Sequence, residues 1–141
     1  MTRLNPTHHR FEVVRDDGSR EARELETRSL LSHDLVHFAL ESEGGLKDGF
    51  YGSLARGAPL DTEAATDIEQ VVGPLQNLLK GDFDPAAFVD RFRAVRESTG
   101  QRMPHWLTSE LIARIIERFR RLQGQWRATP FGKTMELNFD H

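Results

Sequence analysis

Between Ser29 and Glu43 the chain reads S-L-L-S-H-D-L-V-H-F-A-L-E-S-E, and this stretch constrains the fold more than any other. Leu30, Leu31, Leu35, Val36, Phe38, Ala39 and Leu40 are too dense for a half-exposed strand and recur at helical spacing. At about 100° per residue the apolar arc runs from about 140° to about 340°, with His33 taken as zero. A helix buried over so much of its circumference has to be surrounded by the remaining elements. Gly44-Gly45 supplies its stop.

The flanking segments suggest what surrounds it. Arg10 to Arg15 alternates Phe11 and Val13 with charged neighbours, and Asp17-Gly18 is a favoured tight-turn pair. The return strand, about Arg20 to Thr27, has only Leu25 as a sizeable apolar residue, so one face of the hairpin is expected to be wet. Residues 44–57 hold five glycines around Phe50, Tyr51 and Leu54, which reads as a corner, a short helix and another stop. Asp61 or Thr62 is expected to cap a helix reaching Gly81, kinked or broken at Gly73-Pro74. Asp84-Pro85 starts another, whose stripe Phe88, Val89, Phe92 and Val95 ends before Gly100. A last helix, about His105 to Gln123, carries Leu107, Leu111, Ile112, Ile115, Ile116, Phe119 and Leu122 on one half of its wheel. Beyond Gly124, Trp126 to Ala128 and Met135 to Phe139 read as strands around a Pro130-Phe131-Gly132 turn. The expectation is a single α+β domain over residues 1–141. Four main helices and a short glycine-bounded one form its core, and a small antiparallel sheet comes from the N-terminal hairpin and the C-terminal strands.

Composition narrows the function classes. With 141 residues and no cysteine, the chain has no disulfide framework, no Cys-ligated zinc and no thiol nucleophile. Neither a membrane-spanning apolar run nor the apolar core of a signal peptide is visible, so a cytoplasmic domain is expected. Its 19 basic and 22 acidic groups are unevenly placed. Residues 1–43 and 44–90 are net −3 and −5, whereas residues 91–141 are net +5. That asymmetry favours charge complementarity within the chain or across a homodimer. Arginine outnumbers lysine sixteen to three, which reads as genomic base composition rather than a nucleic-acid signal.

One constellation can carry chemistry. On the Ser29–Glu43 helix, His33, His37, Glu41 and Asp34 fall at about 0°, 40°, 80° and 100°. Two histidines four apart can hold one divalent cation, and a carboxylate one turn on can add an oxygen ligand. In that reading His33, His37 and Glu41 are the metal ligands, and Asp34 orients a ligand histidine or acts as base. Asp48 or His105 would be a remote ligand, whereas Glu43 points elsewhere. Without cysteine, a zinc, nickel, manganese or iron site has to be built from histidine and carboxylate. Two other readings stay open: the solvated face of an amphipathic helix, and a polar pocket without metal.

The H-D-x-x-H stretch is similar to several known signatures. Zinc proteases carry H-E-x-x-H, where Asp34 stands in place of the glutamate base. His-Asp metal phosphohydrolases share a His33-Asp34-like pair but add an upstream helical histidine, whereas His8 and His9 here precede a strand. A zinc-associated motif in a ubiquinone-biosynthesis family is also similar, with Asp48 near the spacing of its later acid. Finally, Leu25 to Leu54, together with the R-D-D-G-S-R turn before it, resembles a family of small, uncharacterised bacterial proteins. That resemblance implies a cytoplasmic domain and assigns no catalytic residue.

Other features have plainer readings. Arg114, Arg118, Arg121 and Arg127, with Trp126 nearby, form a candidate phosphate or RNA patch, but pairing with Glu110, Glu117 or the acidic middle segment accounts for them more simply. The glycine cluster has no phosphate-loop spacing, and no serine sits in a G-x-S-x-G elbow. The leading expectation is a small interaction domain able to form a homodimer. A metal-binding protein or metal-dependent enzyme is the alternative, and nucleic-acid binding the weakest.

Overall fold

The computed structural model describes residues 1–81 and 84–140. Its sheet has the order β1 (Thr2–Arg3), β2 (His8–Val14), β3 (Arg20–Glu26), all antiparallel. The β2–β3 hairpin forms as its alternation predicts, with Val14 opposite Arg20 and His8 opposite Glu26. Asp17 accepts hydrogen bonds from the backbone N–H and hydroxyl of Ser19, and Gly18 takes φ 86°, so both turn residues are used. Phe11 is buried while Val14 is 54% exposed, which leaves the expected wet face.

The third strand is β1, not a C-terminal strand. Met135 to Phe139 forms no strand of its own. It meets β1 through a Thr2–Thr134 bridge and two backbone hydrogen bonds between Met1 and Met135, of 2.9 and 2.8 Å. β1 is only two residues long and offers little edge to extend against. Trp126 to Ala128 is helical, because Trp126 continues the buried stripe Ile115, Phe119, Leu122 one turn further. Gly124 inside a helix costs roughly 1 kcal/mol relative to alanine, less than burying a tryptophan side chain returns.

The helices are α1 (Thr27–Gly44), α2 (Phe50–Ala55), α3 (Thr66–Leu78), α4 (Pro85–Ser98) and α5 (Ser109–Ala128). As its apolar arc requires, α1 is central and touches the sheet, α2, α3 and α5. Leu35, Val36, Ala39 and Leu40 are at most 1% exposed. Gly45, at φ 62°, closes the helix, and the Leu46 N–H donates to the Glu41 carbonyl at 3.0 Å.

The start of α3 departs from expectation. Neither Asp61 nor Thr62 caps it; residues 58–65 run without helix, and the helix begins at Thr66. The Ala65 N–H is held instead by the Asp48 carbonyl, and the Ala64 N–H donates to Glu69 Oε1 at 3.2 Å. Nor does Gly73-Pro74 break the helix. Both residues are exposed, while Val71, Val72 and Leu75 are fully buried on the opposite side and hold the turn together.

Asp84 does cap α4, accepting the Ala86 N–H at 3.0 Å with Pro85 in the first turn. Its stripe leaves the core early, since Val95 is 60% exposed. Arg96 is buried and donates to Asp67, Gln70 and the Arg102 carbonyl, which ties α4 to α3. This is one place where the basic last third meets the acidic middle. α5 begins at Ser109, four residues later than the apolar pattern alone suggests, because the Thr108 hydroxyl accepts the Leu111 N–H at 3.1 Å. Among the described residues no helix is long and apolar enough to cross a membrane.

Candidate metal centre

The polar sector of α1 divides in two when the chain folds. Its deeper end belongs to Glu41, which is fully buried beneath the start of α2. Oε2 accepts the Phe50 N–H at 3.0 Å, and Oε1 accepts the Tyr51 N–H at 2.8 Å. A carboxylate is well placed there, because the first N–H groups of a helix have no partner within it. Gly49 makes the approach possible: a Cβ at that position would lie 2.2 Å from Glu41 Cδ. The other end of α2 receives the opposite charge. Arg15, itself buried, donates to the Leu54 and Ala58 carbonyls, both at 2.6 Å, and pairs with Glu21. The short helix is thus held by an anion at its start and a cation at its end.

Glu41 also reaches His37, whose Nδ1 is 2.9 Å from Oε2. With that carboxylate already accepting two backbone N–H groups, His37 donates through Nδ1–H. In a neutral ring the lone pair is then on Nε2, and that nitrogen lies 3.4 Å from Glu69 Oε1, on α3. A lone pair facing a carboxylate is repulsive unless a positive charge sits with them, either a proton on the ring or a cation between the groups. His33 adds a second imidazole, with ring centroids 4.8 Å apart and its own Nδ1 3.4 Å from Gln76 Oε1.

One ligand atom from each of His33, His37 and Glu69 lies within 4.8 Å of the other two. Two imidazoles and one carboxylate suit a first-row divalent ion, with a buried carboxylate fixing the orientation of one ring. The three residues open onto a cleft of about 420 Å³, whose other walls are Asp34, Phe50, Thr62 and Glu63.

Of the residues expected at the site, His33, His37 and Asp34 face this cleft, and Glu41 does not. Glu41 lies outside that group: its oxygens accept the Phe50 and Tyr51 N–H groups and meet His37, and Glu69 is the carboxylate grouped with the two imidazoles. Glu41 is the carboxylate bonded to a ring nitrogen of the histidine pair. Burial pushes the Asp34 carboxyl up to about 6, against the opposing pull of His37. The Tyr51 hydroxyl, itself pushed well up by burial, donates to the Asp34 carbonyl at 2.9 Å. Asp48 and His105 are exposed and outside the cluster, and Glu43 is half-buried and outside it too. His9 is buried elsewhere, edge-on to Trp126. Glu69 had only a weak sequence signal, as a carboxylate next to Ile68 at the margin of the α3 apolar stripe.

The C-terminal arginines stay apart. Arg114, Arg121 and Arg127 are exposed, and none of them forms an ion pair with Glu110 or Glu117. The i,i+3 and i,i+4 spacing of Arg114 and Arg121 from these acids would allow the expected helix-face pairing, but these exposed side chains are not in ion-pair contact. Arg118 lies over the Phe38 ring at 5.7 Å, which occupies its guanidinium. Comparison with protein-family profiles, curated proteins and solved structures returned no match to the chain.

Proposed function

We propose that this chain binds a divalent transition-metal ion through His33, His37 and Glu69, with Glu41 as the positioning residue behind His37. The observation that carries the reading is the His37 ring. Its Nδ1 is bonded to a buried carboxylate and its Nε2 faces a second one at 3.4 Å. A proton can also satisfy that pair, but the neighbouring His33 ring, 4.8 Å away, gives an ion two nitrogens to bind. Three protein ligands beside a cleft leave coordination positions for water or a small molecule, the arrangement of a catalytic rather than a closed structural site. Metal analysis of protein prepared without a histidine tag tests this. One zinc, nickel, manganese or iron ion per chain is expected, lost in the His33→Ala/His37→Ala variant; sub-stoichiometric metal in both samples would refute the reading.

A second reading rests on a different observation. Between α3 and α4 lies a groove of about 550 Å³ whose walls include Pro74, Leu78, Phe88, Phe92 and the 60%-exposed Val95. Exposed apolar surface of this kind supports an interaction role, with a second copy of the chain as the partner to test. Sedimentation across a concentration series is expected to show dimers that Val95→Lys abolishes. The Leu25–Leu54 stretch supports kinship with the small bacterial family it resembles, and the cysteine-free composition supports a cytoplasmic setting.

A further inference from the structure

We infer that the cleft above the His33–His37–Glu69 centre selects an uncharged or amine-bearing metal ligand and turns anions away; this rests on the metal reading proposed above. The cleft is walled by three carboxyl groups, Asp34, Glu63 and Glu69, together with Phe50 and Thr62. No lysine or arginine is among its lining residues. A bound divalent ion neutralises two of the carboxylates and leaves no surplus positive charge. A phosphate or carboxylate substrate would therefore meet the metal with no second cation to share its charge, and Glu63, itself exposed, repels it at the mouth.

A neutral donor meets no such opposition. A carbonyl or imine group can take the open coordination position, its apolar part against the half-buried Phe50 ring. An ammonium group on the same molecule gains from Glu63. The substrate class that fits is a small amide, ester or amine carrying one metal-binding atom and no net negative charge. Phosphoryl compounds are the class that does not fit, because recognising them calls for guanidinium or ammonium groups absent from these walls.

Cobalt-loaded protein provides the test, since the visible spectrum of Co²⁺ responds when a new ligand enters its coordination sphere. Imidazole and inorganic phosphate are titrated separately at constant ionic strength, with cobalt content measured before and after. Imidazole is expected to shift the spectrum, whereas phosphate at the same concentrations leaves it unchanged. Glu63→Lys, an exchange at an exposed position, is expected to keep one cobalt per chain and to tighten phosphate binding roughly tenfold or more by reversing a charge at the cleft mouth. Phosphate binding to the wild type as tightly as imidazole, or an unchanged phosphate response in Glu63→Lys, would overturn the inference. Failure of the wild type to bind cobalt at all is a separate result, seen before any ligand is added, and it removes the metal reading and this selectivity together.

Discussion

At the level of single residues, the site depends on how closely Glu41 approaches Gly49. Alanine at position 49 would place its Cβ inside the Glu41 carboxyl group, so Gly49→Ala is expected to lower stability by about 1–3 kcal/mol, read as the midpoint of urea unfolding. Glu41→Gln keeps the size of the side chain but removes the charge that holds His37 and the α2 N–H groups. It should weaken zinc binding about 10- to 100-fold by isothermal titration, with Glu41 acting through His37 in the proposed centre. His9 sets a different dependence. It is fully buried, its Nδ1 lies 3.0 Å from the Thr27 hydroxyl, and no protein group among the described residues meets its Nε2. Burial, then the Met1 amine and His8, hold its pKa below the ordinary 6.5. The unfolded chain therefore takes up the proton first, and the stability contributed above pH 6.5 is lost as the pH falls below it. Urea midpoints measured from pH 7.5 to 5 should fall more steeply for the wild type than for His9→Leu; parallel curves would contradict this.

Among the elements, what was legible in the sequence followed from local chemistry. Asp17-Gly18 specified the hairpin turn, Asp84-Pro85 the start of α4, and the density of Leu35 to Leu40 the burial of α1. Expectations failed where a distant partner decided the outcome. The α3 boundary is set by Asp48 and by Glu69 reaching back, and the C-terminal end of α5 by the burial of Trp126. Half of the site was legible for the same reason. His33 and His37 are four residues apart on one helix, so periodicity brings them together. Glu69 joins them only because α3 packs on α1, and one acidic residue in an acidic segment gives no advance sign of that. The surroundings of Glu41 were not legible either, because they depend on where α2 begins. Caps remain checkable at this scale: Thr108→Ala should destabilise the protein by about 1 kcal/mol through loss of the Leu111 N–H bond, measured by chemical denaturation.

For the whole molecule, the proposed centre joins two elements that are otherwise held together by apolar packing and by the His33–Gln76 contact. His33 and His37 come from α1 and Glu69 from α3, so a bound ion is a cross-link between them. Because the unfolded chain does not hold these residues together, metal binding should raise the thermal midpoint in proportion to the logarithm of free metal concentration. The most direct test of the central claim is anomalous diffraction at the zinc edge from crystals of the zinc-loaded protein. The account predicts a single peak bonded to ring nitrogens of His33 and His37, at about 2.0–2.1 Å, and to a Glu69 oxygen, with Glu41 on His37 Nδ1 rather than on the metal. A peak bonded to Glu41, or zinc bound away from α1 and α3, would contradict it.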